Sequence, residues 1–156
     1  MSFLRFLILL SLIVWVGGLI FFPAVAQTAF SLLPSRHLAG SVVGRSLGIL
    51  HWMGIGSGAV FLASSLLYSR ISGGDARLFA ARNVLVCLML TLTLISQFGM
   101  VPRMDALRAS RDAMSSAPAD NLARIQFDAL HVWSTRLESA GLLMGLVIVY
   151  LVAARS

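Results

Sequence analysis

Residues 6–26 read FLILLSLIVWVGGLIFFPAVA, and this stretch contains no charged residue. A helix that spans a membrane needs ~20 predominantly apolar residues, and the stretch supplies that length. A membrane-spanning β-strand would alternate apolar and polar residues, and no such alternation is present. The wider apolar run extends from Phe3 to about Phe30 and is interrupted only by Arg5. The stretch therefore predicts a transmembrane α-helix.

Three further apolar runs follow the first one along the chain. The four predicted spans cover about residues 3–30, 44–69, 78–102 and 127–153. Only helices and closed barrels satisfy every backbone hydrogen bond in lipid, so all four runs are predicted to be helices. We therefore expect an all-α integral membrane protein. Residues 1–156 should form one domain, an antiparallel bundle of four transmembrane helices with short loops.

The composition excludes most soluble classes of protein. Hydrophobic residues make up 58% of the chain and the mean hydropathy is +0.90. Charged residues make up 12%, about half the ~25% of a typical soluble domain. The single cysteine, Cys87, excludes a disulfide framework. All 12 basic residues are arginine, and most lie at the ends of apolar runs, where they meet lipid headgroups. We therefore expect the lipid bilayer, and no nucleic acid, as a partner.

The predicted connections contain residues that break or cap helices. Residues 31–43 form the first connection, where Pro34 can open a short helix at its first position. Gly73-Gly74-Asp75 predicts a turn after the second span. Pro102 should end or kink the third span. Residues 115–118 should break the chain again, and Asp120 can cap a short helix that leads into the fourth span.

The charges near the ends of the spans bear on the orientation in the membrane. An even number of spans places both termini on one side, with five arginines there, six on the other side and Arg136 within the fourth span. This count does not decide the orientation, but the short basic N-terminus favours cytoplasmic termini in a bacterial inner membrane. Ala24-Val25-Ala26 imitates a secretory cleavage site, yet the apolar run exceeds the ~7–15 residues of a signal peptide. We therefore expect an uncleaved first span.

Two histidines inside the predicted spans are the candidate site. Counted from the predicted starts of their spans, His51 and His131 lie about 6–11 Å below the same membrane face. Ionisable residues within spans are costly and are functional candidates by default. We predict that the pair forms the centre of a shared cofactor-binding or metal-binding site. Four further residues are predicted to support it: Glu138, Thr135, Gln27 and Gln97.

The chemistry of this site stays open at the level of sequence. The pair could bind haem b through two axial histidines or, on weaker grounds, copper through imidazole and methionine ligands. The two residues could also be buried polar groups without a cofactor, bonded to each other, to Glu138 or to backbone carbonyls. The glycines around Gly54 fit close helix packing, and they also fit a groove for a flat ligand.

The chain contains no nucleotide-binding, hydrolase or metalloprotease motif, so no catalytic residue is predicted. The absence of these motifs leaves enzymatic activity open but does not favour it. A non-enzymatic accessory or interaction subunit is the favoured class, packed as a homo-oligomer or in a larger membrane protein complex. A small-solute carrier is less favoured, because inverted repeats and broken helices are not visible.

Three motifs resemble a known family. Val14-Trp15-Val16-Gly17-Gly18, Leu50-His51-Trp52-x-Gly54 and Leu130-His131-x-x-Ser134-x-Arg136-Leu137 are similar to signatures of the transmembrane protein 205-like family. That family is also named domain of unknown function 4149. The resemblance implies a four-helix membrane protein without an established reaction. HemJ-type protoporphyrinogen oxidases and CopD-type copper proteins look distantly similar.

Overall fold

The computed structural model describes residues 1–72, 80–113 and 122–154. Its helices are α1 (Ser2–Leu32), α2 (Arg36–Ile71), α3 (Ala81–Leu94), a π-helical segment (Ile95–Met100), α4 (Val101–Ala113) and α5 (Leu122–Ala153). The π segment joins α3 to α4 without a break, so four long helices result. All four are long and apolar enough to cross a membrane, and no strand occurs in the three described ranges. The predicted all-α four-span fold is confirmed.

Arginines bracket the apolar part of the bundle. The Arg5 guanidinium donates to the Tyr68 hydroxyl from Nε and Nη2, at 3.0 and 2.6 Å, so the start of α1 lies beside the end of α2. Arg82 and Arg103 enclose the third span and lie 21 positions apart. That separation is about 30 Å along a helix, the thickness of a bilayer's hydrocarbon core. We call the Arg5 end the terminal face and the Arg103 end the opposite face.

The glycine positions of α2 are used for close packing. A Cβ atom on Gly54 would lie 2.5 Å from Nε1 of Trp15, and one on Gly58 would lie 2.8 Å from Cζ3 of the same ring. Trp15 is itself only 3% exposed. Only residues without a side chain let the indole approach α2 this closely. The groove around Gly54 is therefore filled by α1.

The first predicted connection is shorter than expected. α1 ends at Leu32 and α2 begins at Arg36, so most of residues 31–43 is helical. Pro34 does not open the second helix. Ser35 caps it, with its hydroxyl accepting a hydrogen bond from the Leu38 amide at 3.2 Å. The polar first turns of α2 resemble a loop in hydropathy, although their backbone is helical.

The chain also continues through Pro102 as a helix. Proline has no amide hydrogen and its ring crowds the carbonyl four residues earlier, here that of Phe98. The π-helical segment lies directly before Pro102. At its end the Val101 amide bonds to the carbonyl of Ser96, five residues earlier, and not to the carbonyl four residues earlier as in an α-helix. The wider turn accommodates the proline without ending the helix. The predicted turn at 73–75, the break at 115–118 and the Asp120 cap lie outside the described residues.

Candidate functional site

A buried histidine joins three of the four spans. His51 on α2 is 2% exposed. Its Nδ1 lies 2.8 Å from Oε1 of Gln97 on the π segment, and its Nε2 lies 2.6 Å from Oε1 of Glu138 on α5. We call these three residues the triad. Both ring nitrogens of His51 therefore have hydrogen-bond partners, which offset the free-energy cost of burying a polar ring in an apolar medium.

The π segment positions the amide side of the triad. A π-helical turn contains one residue more than an α-helical turn, so it changes the direction of the side chains that it carries. Gln97 lies within this turn and reaches His51. The neighbouring residues Trp52 and Phe98 form an edge-to-face pair with ring centroids 6.0 Å apart. The aromatic pair and the hydrogen bond fasten the π segment to α2 at one level.

The hydrogen-bond types restrict where protons can lie. The oxygen of an amide only accepts, so the contact with Gln97 requires a hydrogen on Nδ1 of His51. The contact between Nε2 and Glu138 then holds one proton. Either an imidazolium donates to a carboxylate, or a protonated carboxyl donates to a neutral ring. In both cases His51 and Glu138 together carry no net charge, which is the state that a low-dielectric environment favours.

The triad lies below the opposite face of the membrane. Six positions separate Arg45 from His51, and six separate Gln97 from Arg103. Each interval corresponds to about 9 Å along a helix. This depth agrees with the one that the sequence predicts for His51.

A small cavity adjoins the carboxylate of the triad. Its volume is about 10 Å³, and its lining includes Trp15, Thr93 and Glu138. That volume is close to the minimum that one water molecule needs. Ser96 on the π segment is fully buried, and its hydroxyl has no hydrogen-bond partner among the described residues. The surroundings of the triad therefore combine space for about one water with an unused hydroxyl group.

His131 does not join the triad. Its ring is exposed and stacks on Phe127, with centroids 6.4 Å apart and an interplanar angle of 2°. It precedes Glu138 by seven positions, which is about 10 Å along α5. Because Glu138 lies level with His51, His131 lies nearer the opposite face than expected. The apolar run that begins at Phe127 starts outside the predicted hydrocarbon layer, and this offset produced the wrong depth.

Of the four residues predicted to support the site, two contact His51 and two do not. Gln97 and Glu138, named as supporting groups, contact His51 directly. Thr135 is exposed, and its hydroxyl bonds to the carbonyl of His131 at 2.9 Å. Gln27 is exposed on α1. A cofactor-binding role for His51 and His131 stays a prediction.

The fold and the triad define a class: a four-span integral membrane protein with a hydrogen-bonded ionisable pair inside the bundle. The chain belongs to the family described as "Domain of unknown function (DUF4149)", which matches residues 10–113. No curated protein and no solved structure matches the chain. The family match contains His51 and Gln97 and ends before α5, which carries Glu138. The likeness to the transmembrane protein 205-like, HemJ-type and CopD-type groups stays a prediction.

Proposed function

We propose that the chain is a non-enzymatic accessory protein of the membrane whose triad binds and releases one proton. The observation that carries this proposal is the position of His51, buried between the acceptor oxygen of Gln97 and the carboxyl group of Glu138. Ionisable groups placed inside a membrane bundle are typical of proton relays and ion pathways. A proton is also the smallest ligand that such a closely packed site can take.

The amide group of Gln97 offers a route for proton release. Rotation of this amide by half a turn would present its NH₂ group to Nδ1 of His51, which would then accept a hydrogen bond. Nε2 would keep a hydrogen and donate it to an ionised Glu138. The site would then hold one proton fewer, and its net charge would change from zero to minus one. The exchange requires a side-chain rotation and no movement of the backbone.

The accessory role rests on the uneven packing of the spans. In the most apolar window of α5, 11% of the residues are buried, against 39% for α2. The triad ties this loosely packed span to α2 and to the π segment. A change in the net charge of the triad therefore acts on the span with the smallest buried share. We propose that a second copy of the chain or a larger membrane protein complex responds to that change.

The proton-binding test uses the small number of histidines. The chain contains three, so isotope labelling of the imidazole nitrogens gives NMR spectra in which each ring can be assigned. We expect His51 to pass from a form with hydrogen on Nδ1 to the Nε2–H tautomer as the pH rises. The exposed rings of His37 and His131 serve as internal controls. A His51 ring that keeps one form throughout the titration, in wild type and in Gln97→Leu alike, would contradict the proposal.

The accessory role has a separate test. Native membranes are solubilised in mild detergent and separated on a non-denaturing gel. We expect the chain to migrate above its monomer mass of 16.8 kDa after correction for bound detergent. Migration only as a free monomer would count against the accessory role and would leave the proton-binding result unaffected.

Haem or metal binding by His51 and His131 is the alternative proposal. It requires His51 to release Gln97 or Glu138, and it requires α5 to bring His131 about 10 Å closer along its axis. No group of three or more His, Cys, Asp and Glu side chains that could hold a metal occurs in the described ranges. A visible absorption spectrum with metal analysis decides between the alternatives. A Soret band lost in both His51→Ala and His131→Ala would favour haem.

We also propose that both termini lie in the cytoplasm, which places the triad about 9 Å from the outer surface of the membrane. The proposal rests on the short basic N-terminus. After replacement of Cys87, single cysteines are introduced as Ser2→Cys and Ser31→Cys. A membrane-impermeant maleimide added to intact cells should label position 31 and spare position 2. The opposite pattern would reverse the orientation.

A further inference from the structure

An open groove runs along the outer surface of α5, on a part of the molecule that the triad does not use. Its volume is about 460 Å³. The lining residues come from three successive turns of the helix: His131, Val132, Thr135, Arg136, Ser139, Ala140 and Leu143. The groove belongs to the span with the smallest buried share, so no other described span covers it.

The groove has one cationic end and otherwise apolar walls. Arg136 is exposed, and its guanidinium lies 5.2 Å from the centre of the Trp133 ring. The hydroxyl groups of Thr135 and Ser139 both donate to backbone carbonyls of their own helix, at 2.9 Å. Because their hydroxyl hydrogens are already used within the helix, these two side chains would contact a ligand mostly through their carbon atoms. Arg136 is left as the main charged group of the groove.

The neighbouring carboxylates do not neutralise this end. Asp128 precedes Arg136 by eight positions, which is about 12 Å along the helix. Glu138 is two positions from Arg136, a spacing at which side chains point to different sides of a helix, and it is bonded to His51. An anionic group at the groove would therefore meet Arg136, while His131 lies five positions earlier on the same helix, about 7 Å along its axis.

The depth of the groove matches the structure of a lipid leaflet. The last twenty residues of α5, 134–153, rise about 30 Å and fill the hydrocarbon layer. Trp133 then lies at the edge of this layer, and the backbone of Arg136 lies about 3 Å inside it, close enough for the guanidinium to extend to the headgroups. Ala140 and Leu143 lie about 6–10 Å deeper, at the level of the acyl chains.

The geometry points to a binding site for one anionic phospholipid on α5. The phosphate group contacts the Arg136 guanidinium, and one acyl chain lies along Ala140 and Leu143. Charge complementarity at one end and apolar walls along the rest select a charged amphiphile over a second apolar helix. A bound lipid also gives the loosely packed α5 a partner along its outer surface.

Native mass spectrometry of the full chain in detergent tests the charge at the headgroup end. Phosphatidylglycerol or phosphatidylcholine is added, and retained lipid is counted at increasing collision energy. We expect wild type to retain phosphatidylglycerol preferentially. Arg136→Gln should bind it about fivefold more weakly, the factor for one arginine near a membrane surface. Arg45→Gln, an exposed arginine near the same face on α2, should change retention much less. Equal losses of retained phosphatidylglycerol in both variants would show a general attraction of anionic lipid to surface arginines and would overturn the proposal.

A second variant tests the apolar part of the groove. Ala140→Phe fills the floor with an aromatic ring and leaves every charge in place, so it should also lower the retention of phosphatidylglycerol. Its elution from a sizing column should match wild type; if it does not, Leu143→Phe replaces it. Unchanged retention in a folded variant would contradict the acyl-chain position. If Ser139→Cys, introduced after replacement of Cys87, instead forms disulfide-linked pairs of chains and Arg136→Gln leaves lipid binding unchanged, the groove is an interface between copies.

Discussion

His51 shows how a single residue can fix the packing of a membrane bundle. Its ring is held from two sides, and the two partners come from different spans. Lipid cannot form a hydrogen bond with a polar group that has lost its partner. The loss of either contact therefore leaves an unsatisfied polar group inside the bundle. The free energy lost when one partner is removed is therefore mainly the desolvation penalty of the other partner, which stays buried without a hydrogen bond.

The first prediction concerns that unsatisfied group. Glu138→Leu leaves Nε2 of His51 buried without a partner, and we expect destabilisation by about 1–3 kcal/mol. His51→Leu combined with Glu138→Leu removes both members of the pair and leaves only the Gln97 amide without its partner, so we expect the double variant to be less destabilised than the sum of the two single variants. Thermal unfolding in detergent measures the values for Glu138→Leu, for His51→Leu and for the double variant. A double variant as unstable as the sum of its parts would show that the pair contributes no coupling.

A pair of glycines on α2 gives a matched test of the packing. Gly54→Ala would place a Cβ atom 2.5 Å from Trp15, so we expect a loss of about 1–3 kcal/mol from overpacking. Gly56→Ala meets nothing within 4 Å and should stabilise the helix by about 0.5–1 kcal/mol. Melting temperatures of the two variants should shift in opposite directions. A shift of both in the same direction would contradict the packing role of Gly54.

At the scale of elements, the π segment is the feature that the sequence did not predict. Pro102 was expected to end or kink its span, and the physical reason for that expectation is correct: the proline removes one hydrogen bond. Sequence patterns do not show how the backbone accommodates the proline. Here the Val101 amide, directly before Pro102, bonds to the Ser96 carbonyl five residues earlier, and the wider turn brings Gln97 to His51.

A proline substitution tests this link between the backbone and the triad. Pro102→Ala restores an amide donor, and we expect the π segment to tighten into an ordinary α-helix. Gln97 would then turn away from His51, and the Nδ1 resonance of His51 should move in the NMR spectrum. Pro23→Ala on α1 is the control, because Pro23 lies inside α1 without a π segment. Identical effects of both substitutions on the His51 resonance would refute the link.

The sequence predicted the spans better than their ends. Hydropathy locates the lipid layer, but it does not mark where helical hydrogen bonding stops, so the polar start of α2 near Arg36 was assigned to a loop. The same limitation affected the site. Gln97 and Glu138 were identified because polar residues inside spans need partners. His131 was misplaced because its depth was counted from the end of an apolar run.

At the scale of the whole molecule, α5 is the least secured part of the bundle. The α1–α2 pair is closely packed around Trp15, whereas only 11% of the residues in the most apolar window of α5 are buried. The family match also stops at residue 113, before this helix. Glu138 supplies a polar attachment of α5 to the other spans, alongside glycine contacts such as that of Gly145 with Val16. Regions with few buried contacts open first, so α5 should separate before the α1–α2 pair does.

The last prediction measures this difference in one experiment. After replacement of Cys87, a single cysteine is introduced as Ser134→Cys on α5 or as Ser64→Cys on α2. Both serines are buried, at 4% and 5% exposure, and both lie toward a face of the membrane. Adding Glu138→Leu removes the polar attachment, so a maleimide should react faster at position 134 and at an unchanged rate at position 64. Equal acceleration at both positions would indicate general loosening of the bundle. Unchanged rates at both would show that the glycine contacts hold α5 without the triad.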